Sequence, residues 1–83
     1  MIDTGDIVFH KPTEEKWVVA CVIEDKLSWC GYPEGYANLT DCELLDSADE
    51  NERKKLLIQM SESSPNDHRA RYAKIRLMTE NNG

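Results

Sequence analysis

Trp17-Val18-Val19-Ala20-Cys21-Val22-Ile23 is an apolar run without a single charge, and four of its seven residues are β-branched. Branching at Cβ stiffens a side chain in a way that suits a pleated sheet better than a helix, so this run reads as a β-strand. Successive strand side chains alternate between faces, which sends Trp17, Val19, Cys21 and Ile23 one way and Val18, Ala20 and Val22 the other. Both sets are apolar. The strand is therefore expected to be central and covered on both sides. Val18 to Ile23 is also far short of the roughly 20 apolar residues that span a bilayer.

Working toward the N-terminus, the polar stretch Thr13-Glu14-Glu15-Lys16 reads as a turn. Before it, Ile7-Val8-Phe9 forms a short strand, opened by Gly5-Asp6 and closed by Lys11-Pro12, since proline removes a ladder donor. Toward the C-terminus, Glu24-Asp25-Lys26 is a tight polar connection and Leu27-Ser28-Trp29-Cys30 resumes the alternation, as in an antiparallel hairpin. Gly31-Tyr32-Pro33-Glu34-Gly35-Tyr36 holds two glycines and a proline in six residues, which stops any regular element. It is a loop rich in aromatics. A last strand or pair of strands follows in Ala37-Asn38-Leu39-Thr40 and Asp41-Cys42-Glu43-Leu44-Leu45.

Near residue 46 the apolar period lengthens from two to the three-and-four spacing of a helix. Ser47-Ala48-Asp49-Glu50 fits a capping box that starts a first helix, with Leu56, Leu57 and Met60 as its buried stripe and Glu52, Arg53, Lys54 and Lys55 largely outside it. Ser64 as N-cap and Pro65 as first residue suit a second helix. On that helix His68, Tyr72, Ile75 and Thr79 recur on one side, with Ala73 and Leu77 adjacent. The architecture expected is α+β: a strongly bent antiparallel sheet, or SH3-like partial barrel, of four to five strands, followed by two C-terminal α-helices. Residues 1–83 form a single domain, with a β-rich part over 1–46, a helical part over 47–79 and a frayed tail over 80–83.

A chain of 83 residues has room for one core and hides only about 60% of its unfolded surface, which leaves little space for a deep cofactor cavity. No cofactor is expected. The N-terminus lacks the basic and apolar regions of a secretory leader, and the three cysteines, Cys21, Cys30 and Cys42, are an odd number without paired spacing. These features point to reduced thiols in a cytoplasm and to no membrane association.

The net charge of −6 is a poor match for a polyanion, but it is unevenly spread. Residues 1–50 carry a balance of −9 and residues 51–83 one of +3. Arg69, Arg71, Lys74 and Arg76, with Tyr72 among them, give the second helix a basic surface that a nucleic acid or an acidic partner would find attractive. The plainer reading is that these cations neutralise the protein's own acidic sheet.

Three constellations carry candidate chemistry. His10, Cys21, Cys30 and Cys42 include the ligand types of a structural zinc site, although a lone cysteine on a strand more often serves as a small core residue. Cys30, His10 and Asp41 supply the groups of a thiol nucleophile, base and orienting acid, but no signature surrounds the cysteine and no enzyme is expected. Trp29, Tyr32 and Tyr36, with Pro33 and Glu34, cluster around the loop. Large amphipathic rings of this kind anchor interfaces and read proline-rich peptides. The competing reading puts Trp17 and Trp29 in the core with the tyrosines on its rim.

The stretches Gly5-Asp6-Ile7-Val8-Phe9-His10-Lys11-Pro12, Glu15-Lys16-Trp17-Val18-Val19-Ala20 and Leu27-Ser28-Trp29-Cys30-Gly31-Tyr32-Pro33-Glu34-Gly35 resemble a group of small phage and prophage proteins of bacteria. The similarity continues through Asp41-Cys42-Glu43-Leu44 and His68-Arg69-Ala70-Arg71-Tyr72-Ala73. That group carries no known activity. The resemblance implies a bacterial or phage cytoplasm and assigns no role to any residue. The function expected is a non-enzymatic protein–protein interaction module, an acidic inhibitor or adaptor, that uses the aromatic loop or the acidic face. An acidic mimic of nucleic acid would gather its carboxylates on one face, whereas a peptide reader would line a groove with Trp29, Tyr32 and Tyr36. The alternatives are a nucleic-acid-binding accessory protein using the second helix and a small zinc-stabilised domain.

Overall fold

In a computed structural model describing residues 1–81, the chain is an open five-stranded antiparallel sheet followed by two helices. The strands are β1 (Ile7–His10), β2 (Glu15–Ile23), β3 (Lys26–Trp29), β4 (Ala37–Asn38) and β5 (Cys42–Asp46), in the spatial order β4-β3-β2-β1-β5. A 3-10 turn over Leu39–Asp41 carries the chain from one edge of the sheet to the other. Helices α1 (Glu50–Ser61) and α2 (His68–Asn81) complete the fold. This is the α+β arrangement expected.

Two tight connections set the registers. The β1–β2 turn closes with the Glu14 amide donating to the His10 carbonyl at 2.8 Å, and Glu14 takes a left-handed φ of 59°. Glu15 and Lys16, expected in the turn, belong to β2, because they pair with His10 and Phe9. Between β2 and β3 only Glu24 and Asp25 intervene, with Ile23 opposite Lys26.

The simple alternation expected along β2 fails at one point. The register shifts between Val19 and Cys21, so Val22 rather than Cys21 returns to the Val19 face. The sheet thus buries two different sets. On its inner side Val8, Val19 and Leu27, each fully buried, pack with Trp17, Val22 and Leu39. On the other side Ala20 meets Leu57 and Met60 of α1 and Ala73 of α2. Burying a side chain such as Leu27 or Leu57 contributes roughly 1.5–3 kcal/mol. Ile23, at the end of the run, is exposed.

Both helix starts lie later than the sequence suggests. Ser47 follows directly on β5, and the N-cap of α1 is Asp49, whose carboxylate accepts from the Glu52 amide at 2.8 Å. Ser64-Pro65-Asn66-Asp67 forms a turn, not a helix start, with the Asp67 amide donating to the Ser64 carbonyl at 3.0 Å. The buried stripe of α2 is Ala70 and Ala73, with Leu77 beside it, while Ile75 is 66% exposed. The frayed tail expected over 80–83 is helical at Glu80 and Asn81; residues 82 and 83 lie outside the described residues.

Arginines, not only apolar contacts, lock the helices to the sheet. Arg53, expected outside the stripe of α1, turns inward and donates to the Thr4 carbonyl and to the fully buried Asp6 carboxylate, each at 2.9 Å. Asp6 also accepts from the amides of Asp3 and Ala48. Arg76 of α2 forms a two-point pair with Asp3 and reaches the Tyr72 hydroxyl. Burial alone would raise the Asp3 carboxyl, but hydrogen bonds from Arg76 and the Thr4 amide outweigh it and hold the carboxyl below its usual range. No buried side-chain polar atom among the described residues lacks a partner. No helix among them is long and apolar enough to cross a membrane.

A candidate aromatic binding groove

Period-two geometry places His10 on the Val8 face of β1, and the hairpin register sets Trp17 opposite Val8. The Val19–Trp29 pairing then puts Trp29 on the same face of β3. The result is a ladder of rings. His10 stacks on Trp17 at 4.2 Å between centroids with planes 19° apart, and Trp17 meets Trp29 at 4.5 Å and 36°. The Thr13 hydroxyl, 2.7 Å from His10 Nδ1, fixes the imidazole end of this stack.

The ladder lines a surface groove of about 710 Å³. Tyr32, Pro33 and Tyr36 of the β3–β4 loop form one wall, and Pro12, Thr13 and Glu15 at the β1–β2 turn close the other end, with Asn38 and Asp41 beside them. Tyr32 is 85% exposed and Tyr36 56% exposed, large values for rings of this size.

The loop is irregular but tied down. Trp29 Nε1 donates to the Pro33 carbonyl at 2.8 Å, and Gly35 packs so close to the indole that a Cβ there would lie 3.0 Å from Trp29 Cη2. Arg69, at the start of α2, donates from Nη1 to the carbonyls of Trp29 and Gly31 at 2.7 and 2.9 Å, and its guanidinium lies 5.7 Å from the Tyr32 ring centroid. Asp67 orients it with both carboxylate oxygens. The hydrogen bond from Arg69 holds the Asp67 carboxyl well below the ordinary range, at about 2, and the same bond raises Arg69. The Tyr36 ring lies 4.8 Å from the His68 ring, tilted by 31°, and His68 Nε2 lies 2.9 Å from the Ser28 hydroxyl.

Of the residues expected to bind a protein, Trp29, Tyr32, Pro33 and Tyr36 come together in the groove. Glu34 instead faces α2, with its Oε2 4.0 Å from His68 Nδ1 and 3.8 Å from Arg69 Nη2. The cations assigned to a nucleic acid are divided. Arg69 and Arg76 point inward on Asp67 and Asp3, and Tyr72 packs against the helix-side core, so only Arg71 and Lys74 of that set stand exposed. Self-neutralisation accounts for the inward pair.

The zinc constellation is not assembled, and the thiol trio Cys30, His10 and Asp41 shares the groove lining without its ligand atoms gathering within 4.8 Å of one another. Cys21, opposite Ser28, lies past the register shift on the helix side, while His10 belongs to the groove ladder. All three thiols are free, and burial pushes Cys21 and, less deeply placed, Cys42 up, away from the reactive thiolate. Among the described residues the only close group of three metal-ligating side chains is Glu34, Asp67 and His68, and there Asp67 is already committed to Arg69.

Sequence reasoning missed His10, Trp17, Glu15 and Asp41 as groove residues. The β1–β2 register, which pairs His10 with Glu15 across a four-residue turn, identifies the first two, because it aligns Val8 with Trp17. Compared with protein families, curated proteins and solved structures, the chain matches none of them.

Proposed function

We propose that the protein is a non-enzymatic interaction module that docks a protein partner in the aromatic groove. The observation that carries this reading is the gathering of Trp17, Trp29, Tyr32 and Tyr36 around one open cleft, with the two tyrosines left largely in solvent. Aromatic anchors dominate interface energetics once covered, and an exposed cluster of them on a small domain is what a partner would cover. The ties from Arg69, His68 and Trp29 hold the loop before any partner arrives, which lowers the ordering cost of association. A histidine held between Thr13 and Trp17 favours binding over catalysis. The resemblance of the sequence to phage and prophage proteins is the reason to look for the partner among bacterial proteins.

Affinity capture from bacterial lysate with the wild-type protein and with a Tyr32→Ala/Tyr36→Ala double variant tests the reading. Both side chains are exposed, so the variant keeps its fold, which circular dichroism verifies. Loss of the captured protein supports the groove. Undiminished capture by the double variant refutes it.

A further inference from the structure

The groove carries negative charge that nothing in the protein pairs: the Glu15 and Asp41 carboxylates have no hydrogen-bond or ion-pair partner among the described residues. Trp29 Nε1 is spent on the Pro33 carbonyl and the lining lysine, Lys26, donates to Asn38, which leaves the Trp17 indole and the tyrosine hydroxyls as donors. The two carboxylates favour a ligand that brings positive charge. The surrounding half of the chain, residues 1–50, reinforces this with its balance of −9.

The apolar part of the groove narrows the shape of the ligand. Two neighbouring indoles with exposed phenols beside them suit flat, rigid pyrrolidine rings, and a segment in polyproline conformation satisfies its backbone with water and needs no strand edge. The neighbouring edge strand, β4, has only two residues, too few to template an added strand. A groove of about 710 Å³ is larger than one side chain requires and lies within the usual range of small-ligand sites.

We infer that the groove takes an extended proline-containing segment of a partner protein with a lysine or arginine placed against Glu15 and Asp41. The inference rests on the docking role of the groove and names its occupant. Prolines lie across Trp29 and Tyr36, while the cation reaches the carboxylate end near the β1–β2 turn. Rigid proline loses little freedom on binding, and the charges add orientation and speed of encounter rather than most of the affinity.

Panning a displayed library of random dodecapeptides against the wild-type protein, with counter-selection on the Tyr36→Ala variant, tests both levels. The expected outcome is enrichment of sequences with proline and at least one Lys or Arg. A synthetic peptide from that set should weaken at least about tenfold when its prolines become alanine, or when Trp29 becomes Phe and Tyr36 becomes Ala. Its affinity should fall with added salt in the wild type and lose most of that salt dependence in Glu15→Gln/Asp41→Asn. Enrichment of groove-dependent sequences that lack proline or are acidic overturns this occupant while the docking role stands. Enrichment of nothing that distinguishes wild type from Tyr36→Ala overturns both. Displacement of the selected peptide by mixed-sequence RNA would also overturn the choice of a basic peptide.

Discussion

Arg69 reaches from the first turn of α2 to the backbone of Trp29, donating to its carbonyl oxygen at 2.7 Å, so the helix and the aromatic loop share one guanidinium. The planar fork makes this possible: one nitrogen faces the loop carbonyls while two others face Asp67.

Arg69→Ala strands the Asp67 carboxylate, which is 9% exposed, and leaves two loop carbonyls unpaired. Breaking one side of a buried pair costs about 3 kcal/mol or more. The midpoint of urea unfolding should fall accordingly, and hydrogen exchange should quicken at Gly31 and Tyr32. Arg69→Lys restores the charge but not the fork and should recover only part of the loss.

Acid should act at the same place. The folded Asp67 carboxyl, at about 2, lies below its ordinary value of 3.8. A depressed carboxyl contributes its stability above the ordinary value and loses it as the pH falls through the folded one. Unfolding free energy should therefore decline as pH drops from about 4 toward 2, with Asp3 contributing in the same direction. An Asp67→Asn variant should be less stable at neutral pH and show a shallower acid slope in denaturation series.

Asp6→Ala removes the acceptor shared by Arg53 and the Ala48 amide in a fully buried setting. The expected cost is about 3 kcal/mol, and since each kcal/mol lowers the melting temperature of a domain this size by about 4–8 °C, the drop should exceed about 10 °C by calorimetry. Asp6→Asn keeps an acceptor for the amide and should lie between.

Gly35→Ala places a methyl against Trp29 Cη2 at 3.0 Å and forces the indole to move. The Trp29 Nε1 proton signal in a nitrogen–proton NMR spectrum should shift as its bond to Pro33 lengthens, with global stability lowered by no more than about 1 kcal/mol. A spectrum unchanged at that proton would show that the ring does not rest on Gly35.

The sheet was readable where the pattern was long: the uncharged Trp17–Ile23 run becomes β2, and Glu24-Asp25 becomes the two-residue turn. The register shift at Ala20 was not, because small residues such as Ala20 and Cys21 suit either face. Ser47 resembled a cap, but β5 runs to Asp46 and leaves Asp49 to begin the helix. Trp29, Tyr32, Pro33 and Tyr36, which with Glu34 stand out by clustering within eight residues, come together at the groove, whereas Glu34 turns toward α2. The inward turn of Arg53, and the particular carboxylates that Arg69 and Arg76 find, are not legible because a long charged side chain gives no sign, in one dimension, of which carboxylate folds beside it.

Two indoles held 4.5 Å apart are near enough for their electronic transitions to mix. The pair should split into a couplet in the far-ultraviolet dichroism spectrum, a signature that neither ring produces alone and that is lost when Trp17 or Trp29 is replaced by Phe. The molecule thus carries its own gauge of groove geometry, readable without a label while a bound segment wedges the rings apart or presses them together.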